Sequence, residues 1–432
     1  MEADKKVKMY IKPRHFESAH YAGILRPHHN AHTASIKRAR LNAQQTGSIF
    51  RPNTREAMEF IERIHLASIA SRSIGAGNRL IEEEPDKKRT AYYRDCGRID
   101  NCATGRLLAG KTQVHANPLY PWVHNRDSHS QEVAQVGVSI GKGLGLNIDL
   151  IQAGGKAHDF GHAPFGHAGE AALDQLGKKY IGKDFIFKHN RQSARIVMYL
   201  EKYFNDKNKP GLNLTIEVID ILLHHCGELL TLELEPRKEP AYQRFLAAQR
   251  AGRPYKLSKE EMLEILDPSK DTLPALTYEG LVMALADREA YGPHDLEDAL
   301  ASGALVESKL STSEAKRLRE IRKILGDTPS AMMGTLINDT IDTSVKLNKV
   351  ALSQTVGYGF QELQRFNTEL ICYSPEKVAF ERTIYGKFEA IFLDLIEHYG
   401  KTPLEAIDHI AYMTDDQVDT EYAHVLINLQ RL

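Results

Sequence analysis

The sequence predicts an all-α protein, a multi-helix core with helical extensions, and three observations point there. From about residue 91 apolar residues recur three and four apart, as in Val133, Val136, Ile140 and Leu144 and again in Ile216, Ile219, Leu222 and Leu223, which is the period of an amphipathic helix. Alternating period-two runs, the mark of strands, are scarce. Helix-start signatures recur as well: Asn53 with Glu56, and Ser258 with Glu261, have capping-box spacing.

Taken in order, residues 1–52 carry His15, His20, His28, His29 and His32 among Pro, Gly, Lys and Arg with no sustained period, and are expected to form an arm. The irregular histidine spacing offers no ligand geometry. The arm's Lys5, Lys6, Lys8, Lys12, Arg14, Lys37, Arg38 and Arg40 accompany Tyr10, Phe16 and Tyr21, a mixture that single-stranded nucleic acid would suit, although the whole chain does not favour it. A first helix is expected from Asn53, with Ala57, Phe60, Ile61 and Ile64 as its apolar stripe. The core is expected over 89–303, with a Pro-bearing polar excursion at 233–276 that encloses one short helix, SKEEMLEIL. Residues 304–432 continue as a helical region, including ERTIYGKFEAIFLDLIEHYG, expected to pack on the core. No internal repeat or low-complexity tract interrupts the chain.

Composition narrows the function classes. The 432 residues are 42% apolar and 26% charged, the balance of a globular enzyme rather than a disordered or fibrous chain. Lys and Arg number 56 against 57 Asp and Glu, a net charge of -1, which gives no global attraction to nucleic acid or anionic lipid. No apolar run approaches the roughly 18 residues of a spanning helix. Cys96, Cys102, Cys226 and Cys372 include no C-x-x-C pair, so a reducing, cytoplasmic setting is expected.

Chemistry is concentrated in one stretch. Seven of the 19 histidines fall between His115 and His189, where an even spread would put roughly three. In NRDSHSQEVAQVG, His129 shares a helix face with Val133 and Val136 and should point inward. In KAHDFGHAPFGHAGEAAL, His158 and Asp159 are adjacent at a helix end, before Gly161 and Pro164 break the pattern. Neighbours on an unbroken helix point about 100 degrees apart, so both reach one ion only at such an end. Asp287 follows an apolar run in LVMALADREAYGPHDLEDAL, with Tyr291 one turn on and Pro293 ending or kinking the helix. A carboxylate amid Leu285 and Ala286 needs a partner. Each of the four alone is an ordinary core or surface residue; together they make a donor set for Mn, Fe, Mg or Zn.

The order H…HD…D resembles the HD-domain phosphohydrolases. Together RDCGRIDNCATGRLLAGKTQV, NRDSHSQEVAQVG, HDFGHAPFGHAGEAAL, FKHNRQSARIV and ALADREAYGPHDLEDAL resemble one branch, the deoxynucleoside triphosphate triphosphohydrolases typified by bacterial dGTPase. The resemblance covers roughly residues 89–200 and 277–303 and is faint elsewhere. It implies His129, His158, Asp159 and Asp287 as metal ligands, and His167 with Glu170 as the catalytic pair, joined by His162. His189 would line the phosphate chain. Arg126 and Arg288 would meet phosphate oxygens, Gln113 the deoxyribose 3′-hydroxyl, and Tyr291 and Asp295 the sugar. The implied reaction is attack of water on the α-phosphorus of a dNTP, dGTP by default, releasing deoxynucleoside and inorganic triphosphate. A homo-oligomer, tetramer or hexamer, is implied too.

The sequence departs from the branch at Cys102-Ala103-Thr104-Gly105-Arg106-Leu107 and at Gly154-Gly155-Lys156, where glycine costs a helix about 1 kcal/mol each. Two other readings compete: an HD phosphohydrolase acting on a 5′-monophosphate or signalling nucleotide, and a nucleotide- or nucleic-acid-binding regulator with weak activity. His224 and His225 suggest a second ion, but packing or a solvated helix end explains them as well.

Overall fold

The structure is a computed structural model that describes residues 54–74, 78–113, 125–202, 210–226, 232–250, 255–303, 305–372 and 375–429. The arm at 1–52, the cap assigned to Asn53 and most of the turn KYFNDKNKPG lie outside the described residues.

Helices carry the chain, as the sequence predicts. The first half runs α1 (Arg55–His65), α2 (Ala91–Asn101), α3 (Ala103–Leu107), α4 (Arg126–Leu144), α5 (Ile148–Ala157), α6 (Gly166–Tyr180), α7 (His189–Arg195) and α8 (Ile216–His224). The second half adds α9 (Pro240–Arg250), α10 (Lys259–Ile265), α11 (Tyr278–Ala301), α12 (Thr312–Leu325), α13 (Pro329–Leu347), α14 (Gln354–Asn367), α15 (Pro375–Glu397), α16 (Pro403–Tyr412) and α17 (Asp415–Leu429). The one sheet among the described residues is a two-residue pair, β1 (Glu233–Leu234) antiparallel to β2 (Val350–Ala351), with Glu233 opposite Ala351.

The expected start of α1 shifts by one residue. Thr54 caps it, its hydroxyl accepting the Ala57 N–H at 3.2 Å. Its inward side carries Ala57 and Glu59, whereas Ile61 and Ile64 are 44% and 56% exposed. Glu62 explains the rotation: its carboxylate takes both the backbone N–H and the hydroxyl of Ser73 at 2.7 Å, and polar docking outweighs the stripe.

Helices α4, α5 and α11 form the centre. A capping box of Asn125 and Ser128 starts α4, which buries His129, Val133, Val136 and Ile140 on one face. Gly154 and Gly155 let α5 approach its neighbours: a Cβ on Gly154 would lie 2.6 Å from Ile221 of α8, and one on Gly155 would lie 2.6 Å from the Ala134 backbone of α4. The helix-propensity loss there is offset by close packing. Helix α11 runs through Pro293 to Ala301.

Segment 233–276 packs inward rather than standing out in solvent. The predicted Ser258–Glu261 capping box opens α10, and Tyr242, Phe245, Met262 and Ile265 join the main apolar core. Buried Arg237 meets buried Asp220 of α8 at 2.6 Å. The polar, Pro-bearing composition belongs to the connections, while α9 and α10 turn apolar faces to the core. Ile321, Leu336 and Phe366 of α12, α13 and α14 enter the same core. A second core joins α6, through Leu173 and Leu176, to Phe388 and Phe392 of α15, Ile410 of α16 and Val418 of α17.

Candidate metal centre

Three separate stretches deliver the four candidate ligands. His129 sits in the first turns of α4; α5 stops at Ala157, and a 3-10 turn, His158–Gly161, takes over. That change of helix type at the HD pair lets adjacent side chains share one space. Gly161 permits it, since a Cβ there would lie 2.1 Å from the carbonyl oxygen of His189 and 2.2 Å from the N–H of Ser193. Asp287 arrives from the middle of α11.

Nε2 of His129 lies 3.1 Å from Oδ1 of Asp287. Nε2 of His158 faces Oδ1 of Asp159 at 3.3 Å and Oδ1 of Asp287 at 3.5 Å. Nδ1 of His158 sits 2.8 Å from the Gly155 carbonyl, which holds a ring proton there and turns Nε2 to the site, and against burial Asp159 and Asp287 push the imidazole up to about 9. That Nε2 is buried and makes no hydrogen bond. Two carboxylates, two imidazoles and an orphaned buried nitrogen fit a divalent cation, and the donor atoms of His129, His158 and Asp159 all lie within 4.8 Å of one another. Burial opposes ionisation of Asp287, but His158 and His129 hold its carboxyl well below the usual range. Asp159 is likewise held low against its burial, by His158, His162 and Arg126.

The other candidates fall around this set. Arg126 is buried and its guanidinium meets Oδ2 of Asp159 at 2.6 Å, with a longer bond to the Gln113 carbonyl at 3.4 Å. The side-chain oxygen of Gln113 is buried without a partner. His162 stacks on His189, ring centroids 3.8 Å apart, and His167 stands edge-on to His162 at 5.5 Å. Burial, reinforced by Arg126 and His189, pulls His167 down to about 4. Glu170, expected to serve His167, directs its carboxylate to Nδ1 of His189 at 2.7 Å. Tyr291 accepts a bond from Gln364 at 3.2 Å, and burial, then Asp287 and Asp295, raise its phenol to about 12. Asp295 is buried on the same helix as Arg288.

Two residues enter that the sequence left to packing or did not single out. His225 is buried with its ring 5.0 Å from that of His158, and Cys226 touches both His225 and His189. The HHC run closing an apolar helix was the available signal. The C-terminal region also reaches the site: Asp415 accepts the N–H of Thr112 and the N–H of Phe165, both at 2.9 Å, and buried Lys111 donates to the carbonyls of His162 and Ala411 at 2.6 and 2.8 Å.

Helices converging on a His, His-Asp, Asp set define an HD-domain protein, and residues 126–290 match the family model of the HD domain. A deoxyguanosinetriphosphate triphosphohydrolase-like protein of Clostridium tetani is 32% identical over 324 residues, 74% of this chain and 77% of the relative. One from Clostridium perfringens is 33% identical over 398 residues, 86% of this chain and 97% of the relative. One from Geobacter metallireducens is 32% identical over 351 residues, 78% and 79% of the two chains. The chain belongs to the deoxyguanosinetriphosphate triphosphohydrolase-like family of HD-domain phosphohydrolases. Among the described residues no helix is long and apolar enough to cross a membrane.

Proposed function

We propose that the chain is a metal-dependent dNTP triphosphohydrolase, with dGTP the first substrate to try, that releases deoxynucleoside and intact inorganic triphosphate. The observation that carries this reading is the meeting of His129, His158, Asp159 and Asp287 beside a group of three histidines, His162, His167 and His189. The quartet would hold the cation, Mn, Mg, Fe or Zn. When bound, the cation would polarise an α-phosphate oxygen.

The remaining steps belong to side chains. Water attacks the α-phosphorus, the bond to the 5′-oxygen breaks, and that oxygen takes up a proton. His167, whose proton affinity is pulled down to about 4, is a free base at neutral pH and is assigned the proton transfer. Glu170 fixes the neighbouring His189, and His162 and His189 line the phosphate chain. Arg126 and Arg288 take phosphate oxygens, where a guanidinium bonds two at once. Gln113 is assigned the 3′-hydroxyl, and Tyr291 with Asp295 the sugar face that excludes a ribose. A cytoplasmic homo-oligomer, tetramer or hexamer, completes the reading, and light scattering on the purified chain measures the latter.

The test is product analysis. Purified protein with Mn²⁺ is tried on each of the four dNTPs, where tripolyphosphate and deoxynucleoside are the expected products, and on GTP as the ribose control, where no turnover is expected. Orthophosphate or pyrophosphate alone would overturn the assignment and point to an HD phosphohydrolase of another kind.

A further inference from the structure

The apolar run of α8 ends in His224-His225-Cys226, and the helix end splits the two histidines. His224 turns away, with Nδ1 2.9 Å from the Leu273 carbonyl and Nε2 3.4 Å from the Asp220 carboxylate. His225 and Cys226 turn toward α7. The sulfur of Cys226 lies 2.9 Å from Nε2 of His189 and 3.0 Å from Nε2 of His225, and the three donor atoms lie within 4.8 Å of one another.

Both imidazoles are already committed at their other nitrogen. Nδ1 of His189 meets the Glu170 carboxylate at 2.7 Å, and Nδ1 of His225 meets the Leu222 carbonyl at 2.8 Å. An oxygen acceptor at Nδ1 holds a ring proton there and turns Nε2 toward the sulfur, the outer-shell arrangement of metal-bound histidine. A cation placed between the three atoms would satisfy the sulfur and both Nε2 atoms at once.

We propose that His189, His225 and Cys226 form a second cation site, for a thiophilic divalent ion and zinc above all, next to the His129, His158, Asp159 and Asp287 centre. Softness separates the two sites: sulfur with two imidazoles favours zinc over manganese or magnesium, while the carboxylate-bearing quartet accepts hard ions. A tetrahedral zinc sets sulfur and nitrogen about 3.5 Å apart, so the present gaps widen by about 0.6 Å, which rotation of the Cys226 side chain supplies. Binding releases the thiol proton, and three protein ligands leave a fourth position open.

Cobalt reports the site without reference to turnover, so the result stands apart from the reaction proposed above. The full chain, stripped by chelator under reducing conditions, is titrated with Co²⁺ alone. Wild type is expected to develop a sulfur-to-cobalt charge-transfer band that Zn²⁺ abolishes. C226S is expected to lose the band and keep cobalt on the quartet, whereas D287A keeps the band. No band in wild type, or an equal band in C226S, overturns the proposal. Zinc-edge X-ray absorption of zinc-loaded wild type needs no variant: sulfur in the shell supports the site, and a nitrogen and oxygen shell alone refutes it.

Discussion

Glu170 holds His189 twice, accepting from ring Nδ1 at 2.7 Å and from its backbone N–H at 3.3 Å. The carboxylate therefore reaches from α6 to α7, past its helix neighbour His167. Burial resists its charge, but the His189 imidazole keeps it below the ordinary glutamate range. It acts as an anchor for the stacked pair His162 and His189, while His167 stands edge-on to both rings. H167A is accordingly expected to lower kcat by about 10²–10⁴, the scale of lost proton transfer, with Mn²⁺ affinity unchanged. E170Q is expected to lose about 10–100-fold, the scale of a lost supporting contact. Steady-state rates beside a metal titration check both, and full turnover in H167A would refute its role.

Asp287 is the candidate ligand that bridges the two histidines. Mn²⁺ at a hundred times its Kd should stabilise the wild type by about 2.7 kcal/mol. D287A is expected to abolish that shift and the bound metal together. Thermal melts with and without Mn²⁺, paired with elemental analysis, decide the matter; a metal-dependent shift retained in D287A would remove Asp287 from the ligand set.

Gly155 has two duties in the fold. It lets α5 lie against the Ala134 backbone, and its carbonyl receives Nδ1 of His158. A methyl group at 2.6 Å from backbone cannot be absorbed by a rotamer change. G155A is expected to cost about 1–3 kcal/mol of stability, as overpacking does, and to weaken Mn²⁺ binding through the displaced imidazole. Urea unfolding and a metal titration measure the two; unchanged Mn²⁺ affinity in a destabilised G155A would separate packing from ligand placement.

These glycines also show where legibility ended. Helical period, the quartet and the Ser258 cap were readable because each depends on spacing or residue type within a short stretch. Gly154 and Gly155 read as a helix penalty because the helices they admit, α8 and α4, are not visible in local sequence. The exposure of Ile61 and Ile64 was hidden for a related reason: the stripe was present, but Ser73 drew Glu62 inward. Segment 233–276 looked solvated because its linkers are polar, although α9 and α10 are amphipathic. Asp415, which ties Thr112 and Phe165 together, had no signature at all, since its partners lie hundreds of residues away.

Glu217 links pH to stability away from the metal centre. It is fully buried on α8, accepts the Tyr242 hydroxyl at 3.3 Å through Oε1, and leaves Oε2 without a partner. Burial pushes its carboxyl from 4.5 up to about 7, against the opposing pull of its backbone and Tyr242 hydrogen bonds. The folded state therefore binds more protons than the unfolded state between pH 4.5 and about 7, and stability must fall as pH rises through that window. The full difference is about 3 kcal/mol, from 1.36 kcal/mol per unit. E217Q lacks the titration, so its stability relative to wild type should increase from pH 5 to pH 8. Urea unfolding of both proteins at several pH values measures the difference, and parallel curves would show that Glu217 is ionised in the fold at neutral pH.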